Sequence, residues 1–147
     1  MYSKEQTREL KNIFWTSFSK AYPKKWLLHK TKIKDFAFKF YVDNKKIEVM
    51  LAIENKDESL RKIYFQKIES LQTLLREDYL PEVLFDEFYQ QENGKTISKV
   101  WVEKTELSFH DKRNWNEIFD YFNQKMELFE AFYYEYEDYI KDLEMNT

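Results

Sequence analysis

Between Phe36 and Ile53 the chain reads FAFKFYVDNKKIEVMLAI, two alternating runs about a short polar stretch. Alternation with a period of two marks strands that bury one face. A two-residue turn at Asn44-Lys45 brings Phe36 opposite Ile53, Phe38 opposite Leu51, Phe40 opposite Val49 and Val42 opposite Ile47. These pairs are all apolar and share one side of the sheet, and a slip of one residue would turn the whole set outward. The other side carries Ala37 with Ala52, Lys39 with Met50 and Tyr41 with Glu48, a mixed set suited to solvent or to a cover.

A second hairpin turns at Asn93-Gly94, between EVLFDEFYQ and TISKVWVEK. Three helices flank the hairpins. The first starts at Ser3, where Gln6 completes a capping box, carries Leu10, Ile13, Phe14, Phe18 and Ala21 on one face, and ends at Pro23. The second runs from about Glu58 to Asp78 with a stripe of Leu60, Ile63, Tyr64, Ile68, Leu71 and Leu75, and is capped by Asn55 with Glu58 or by Asp57. The third begins near Asn114, which with Glu117 resembles a capping box. The order is α-ββ-α-ββ-α, an α+β fold: an antiparallel sheet of two hairpins packed with helices and a long C-terminal helix. Residues 1–147 are enough for one domain with a core. Strand order between the hairpins is not readable.

The lone glycine, Gly94, excludes glycine-rich phosphate loops and dinucleotide fingerprints. Without cysteine there are no disulfides, thiolate metal sites or cysteine nucleophiles, and His29 and His110 are too few for a multi-histidine zinc site. The charged start MYSKEQTRELKN is not a secretory signal, and no apolar run has the ~20 residues of a membrane span. A cytoplasmic location, with no membrane partner and no cofactor, is the expectation.

The hairpin ends in Glu54-Asn55-Lys56, a Glu-x-Lys at a strand end. With a nearby acid this is the metal-binding pattern of PD-(D/E)XK nucleases. Asp43 sits at the turn, ~36 Å from Glu54 at ~3.3 Å per residue. Asp35 falls opposite Glu54 in the register, with Cβ atoms ~5 Å apart. Asp35, Glu54 and Lys56 are therefore the candidate catalytic set, two carboxylates for a Mg²⁺ and a lysine to position water. The competing reading makes this stretch the lead into a helix cap.

Residues 11–34 hold seven lysines and no acid. Lys20, Lys24, Lys25, Lys30, Lys32 and Lys34, with Trp26 interleaved and Trp15 outside the first helix's stripe, form a candidate nucleic-acid surface for DNA or RNA. The segment lacks arginine, and a lysine cluster answering the acidic C-terminus explains it as well. From Glu117 to Glu144 there are nine acids and two lysines. Apolar positions from Trp115 to Leu143 recur at alternating steps of four and three, a heptad seam. At ~1.5 Å per residue the helix is ~45 Å long and outruns a ~30 Å strand. Phe129, Tyr133, Tyr136, Tyr139 and Ile140 are then candidate interface residues for a homodimer, unless the helix buries both its stripes in cis.

The stretches FWTSFSKAYPKKWLLHKTKIKDFAFKFYVDNKKIEVMLAIENKDE, LREDY, FYQQENGKTISKVWVEKTELSF and NWNEIFDYFNQKMELFEAFY resemble a bacterial family of domains of unknown function. The resemblance spans nearly the whole chain and rests on hairpin, turn and helix-start signatures. In that family the unit stands alone or lies C-terminal to a PD-(D/E)XK-like nuclease domain. The resemblance implies association with DNA processing and carries over no catalytic residue. Three readings follow: a non-enzymatic accessory module touching nucleic acid, a minimal nuclease, or a protein-interaction domain working through its acidic aromatic helix.

Overall fold

The computed structural model describes residues 2–143. Glu144, the last acid of the C-terminal stretch, lies outside them. The element order is α1 (Lys4–Ala21), β1 (Phe36–Val42), β2 (Lys46–Ile53), α2 (Glu58–Ser70), α3 (Gln72–Asp78), β3 (Leu84–Gln90), β4 (Thr96–Thr105) and α4 (Trp115–Lys141), the last preceded by a 3-10 turn at Lys112–Asn114. The strands form one antiparallel sheet in the order β1-β2-β4-β3. The fold is α+β, as the residue pattern implies.

The first hairpin has the register read from its apolar pairs, from Phe36↔Ile53 to Val42↔Ile47. Asp43 N–H donates to the Lys46 carbonyl at 3.0 Å and closes the two-residue turn. The second hairpin is one residue longer at its tip than expected. Gln91 pairs with Lys95, and Gly94, at φ +83°, takes the left-handed position of a three-residue loop. A bulge between Asp86 and Tyr89 shifts β3 against β4.

The helices lie on one side of the sheet. Phe36 meets Tyr64, Phe38 meets Phe129 and Tyr133, Phe40 meets Trp15, Phe18 and Phe122, and Phe85 meets Phe65. A continuous buried cluster runs from Leu10 on α1 to Ile140 on α4. Such aromatic edge-to-face contacts add ~0.5–1.5 kcal/mol per pair beyond area burial. Aromatic residues make up 19% of the chain, and many of them are taken up by its own core.

Several local expectations need correction. Ser3 and Gln6 form the capping box, but Ile13 and Ala21 lie outside the buried face of α1, which consists of Leu10, Phe14 and Phe18. The expected single helix from Glu58 to Asp78 breaks at Leu71. Ser70 Oγ donates to the Lys67 carbonyl at 2.6 Å, and the Leu71 N–H turns to Ile68 instead. A serine competing for a helix carbonyl in this way bends the helix. Asp57, not Asn55, caps α2 through the N–H groups of Ser59 and Leu60. The box expected at Asn114 does not form, because Asn114 is already in helical geometry after the 3-10 turn and bonds to Ser108. Glu117 pairs with Lys104 across to β4 instead.

Candidate nucleic-acid interface

The lysine segment leaves α1 and runs irregularly to β1. It is held from below at many points. Tyr22 hydroxyl donates to Asp120, Lys24 donates to Asn123 at 2.7 Å and pairs with Glu127, and Leu27 N–H donates to Glu130 at 2.6 Å. Thr31, 1% exposed, donates to the Phe36 carbonyl at 2.7 Å, while Tyr133 hydroxyl donates to the Thr31 carbonyl at 2.9 Å. Asn55 donates to the Lys34 carbonyl at 3.0 Å, and Phe38 N–H donates to the Leu28 carbonyl at 3.0 Å. The last contact covers part of the β1 edge, which would otherwise offer unpaired groups.

These anchors hold the backbone where it would not rest alone. Leu28, Lys32 and Asp35 all have positive φ, at 46°, 66° and 60°. Left-handed geometry costs an L-residue ~1–2 kcal/mol. Glu130 also bears a cost: burial pushes its carboxyl up, and the Leu27 N–H works the other way.

The acidic helix therefore takes up part of the lysine segment. Lys24 is paired, and Trp26 stacks on Phe18 with centroids 6.2 Å apart. Trp15, the aromatic that seemed spare, stacks on Phe122 at 6.0 Å. Lys20, Lys25, Lys30, Lys32 and Lys34 remain exposed, and none has a carboxylate partner among the described residues.

The Glu-x-Lys residues sit at the far end of the same hairpin. Asp35 and Glu54 are opposite each other, joined by a Glu54 N–H to Asp35 carbonyl bond of 2.7 Å. The Glu54 carboxylate is engaged by Lys39 at 2.5 Å and Lys95 at 3.6 Å. Burial opposes its charge, yet these lysines hold it below the ordinary carboxylate range. Asp35 and Lys56 take no part in these ion pairs, and both are exposed. No group of three acid, histidine or cysteine side chains converges as a metal site among the described residues.

On α4, Phe129, Tyr133 and Ile140 are buried in the chain's own core, whereas Tyr136 and Tyr139 are half-buried. The C-terminal half of the helix rests on α2 and α3. Tyr79 meets Phe132, and the Lys67 ammonium reaches the carbonyls of Tyr139 and Asp142 at 2.7 and 2.6 Å. A cation there complements the helix C-terminus. Tyr134, 58% exposed, shows at this end of the helix with Ala131, Glu135 and Asp138. No helix among the described residues is long and apolar enough to cross a membrane.

Sequence reading passed over one cluster. On the sheet face away from the helices, Glu48 and Lys99 are 2% and 3% exposed and pair at 2.8 Å. Lys99 is paired through the backbone with Ala52, so its ion pair with Glu48 runs diagonally across the sheet and depends on side-chain reach.

A family model described as a domain of unknown function, DUF4268, matches residues 10–137. No curated protein and no solved structure matches the chain.

Proposed function

Because the chain belongs to the DUF4268 family, whose description assigns no activity, we propose a function from its surface: a non-enzymatic accessory module of the cytoplasm that holds nucleic acid on the loop between α1 and β1. One observation carries this reading. The loop is pinned by buried anchors, yet Lys25, Lys30, Lys32 and Lys34 are exposed without a carboxylate partner among the described residues. A backbone ordered in advance loses little freedom when a phosphate arrives. The lysines of the sheet, by contrast, are matched: Lys39, Lys46, Lys99 and Lys104 each meet a carboxylate. A polyanion therefore finds uncompensated cations carried on a backbone that is held in place.

The test is fluorescence anisotropy with a labelled single strand and a labelled duplex. Four phosphate contacts give a slope of log K against log salt of about −3.6 for duplex and about −2.8 for a single strand. Affinity then falls on the order of 100-fold between 50 and 200 mM salt. Charge reversal at Lys25, Lys30, Lys32 and Lys34 abolishes binding. Binding that survives the reversal, or that ignores salt, places the nucleic-acid surface elsewhere or removes it.

The nuclease reading has its own test. A Mg²⁺ at Asp35 and Glu54 must displace Lys39 and Lys95 from the Glu54 carboxylate. Titration calorimetry with Mg²⁺ and Mn²⁺ is expected to show no site-specific heat. Heat that vanishes in Glu54→Gln would restore metal-dependent cleavage as the function.

A further inference from the structure

β1 is an edge strand, and its outer edge is only partly covered. Asp35 and Asp43, at its two ends, bond toward β2, so by alternation Phe36, Phe38, Phe40 and Val42 turn their backbone groups outward. Thr31 donates to the Phe36 carbonyl, and the Leu28 carbonyl accepts from the Phe38 N–H. The Phe38 carbonyl and the Phe40 N–H come next along the edge, and neither meets a partner among the described residues.

A cleft opens at this point, between the Leu28-His29 turn, Trp15 of α1 and the β1 segment from Ala37 to Phe40. Its volume of about 340 Å³ is at the low end of the ~300–1,000 Å³ of small-ligand sites. The lining is chiefly apolar and includes no carboxylate. The Lys39 ammonium on its rim is engaged by Glu54. Positive charge comes instead from the loop that forms the wall. Lys30 follows His29 directly, and Lys25 and Lys32 flank the turn in the chain. These three are exposed, with no carboxylate partner among the described residues.

Three features select the occupant. The uncompensated lysines call for a polyanion. Trp15, held by stacking on Phe122 at 6.0 Å, is a rigid aromatic wall suited to a planar group. The open carbonyl and N–H set an acceptor beside a donor, the complement of the donor and acceptor that a nucleobase carries on its pairing edge. In a duplex that edge is already used, so only an unpaired base can meet them. An added peptide strand needs a longer free edge, and Thr31 and Leu28 close this one from Phe36 to the Phe38 N–H.

We infer that the cleft seats one unpaired base of a single-stranded nucleic acid. The base lies against Trp15, its pairing edge meets the Phe38 carbonyl and the Phe40 N–H, and the flanking phosphates meet the loop lysines. This rests on the nucleic-acid reading of the loop and adds to it a choice of single strand over duplex. Charge alone predicts the reverse, because duplex DNA has the denser charge and the larger counterion release.

The experiment compares three labelled DNAs of equal length on the full chain: a single strand, its duplex, and a strand whose central nucleotides are abasic. The abasic strand keeps the phosphates and lacks the bases. By fluorescence anisotropy the single strand is expected to bind about tenfold or more tighter than the abasic strand, the usual gain from one base stacked on an aromatic ring. It also binds tighter than the duplex. In amide-resolved NMR the Trp15 indole N–H and the amides of Leu28, His29, Phe38 and Phe40 shift saturably with the single strand and not with the abasic one. Equal binding of the single and abasic strands, tighter binding of the duplex, or shifts that miss the cleft each overturn the base site and leave the lysine surface standing. No binding of any of the three overturns the lysine surface and the base site together.

Discussion

Lys99 shows what a single side chain can cost. Its ammonium is nearly out of water and relies on Glu48 for a counter-charge. Removing the carboxylate alone, in Glu48→Ala, leaves that charge uncompensated and should cost about 3–5 kcal/mol of stability. Replacing both partners, in Glu48→Leu with Lys99→Met, should recover most of the loss. Urea unfolding of both single variants and the double variant measures this, and a double-variant loss equal to the sum of the single losses would mean that the pair is not coupled. Two carboxylates at the first hairpin make a pH prediction. Burial opposes the charge of Asp43 and of Glu54. The Lys45 and Lys46 N–H groups nonetheless hold Asp43 below its ordinary 3.8, and Lys39 with Lys95 holds Glu54 below 4.5. A depressed carboxyl stabilises the fold above its unfolded value, and that stability is lost as pH falls through the folded value. Unfolding free energy should therefore drop as pH is lowered from about 4.5, and Glu54→Gln should flatten its share of the slope. None of these partnerships is written in the composition. They depend on which side chains the sheet sets side by side.

At the scale of elements, the first hairpin was legible in full, because four apolar pairs leave one register that buries them. The second was legible in its turn residues but not in its loop length. Gly94 takes a left-handed φ, and a Cβ added there would meet open space, so its requirement is conformational and not steric. Gly94→Ala should cost about 1 kcal/mol by thermal unfolding, and Gly94→Asn less, since asparagine tolerates this region. A neutral Ala substitution would show that the loop can re-form another way. The break at Leu71 was not legible, because leucine and serine in a helical pattern carry no stop signal, and the bend comes from one hydroxyl's choice of acceptor. Nor was the burial of Phe65 and Lys67. It follows from α2 lying between Phe85 of the sheet and Tyr139 of α4, a placement that periodicity does not contain.

Across the whole molecule, the basic segment and the acidic helix answer each other in part. Lys24, Tyr22 and Leu27 are held by acids of α4, which orders the loop and leaves its outer lysines unpaired. The helix that holds them also supplies Met126, Phe129, Phe132, Tyr133 and Ile140 to the buried cluster. Truncation after Phe122 should thus abolish cooperative unfolding and not merely alter association. A truncated chain that melted sharply near the full-length temperature would return α4 to the role of an external interface, and sedimentation of both forms would then decide self-association. The alternation of two hairpins, their turn residues and the helical stripes determined the element types, the first register and the α+β class. These are local matters of period and backbone preference. Tertiary structure alone decided the strand order β1-β2-β4-β3, the cis burial of the heptad seam and the meeting of Glu48, Lys46 and Lys99. Each depends on contacts between residues far apart in the chain, whose energies come from packing and charge in three dimensions and leave no period in the sequence.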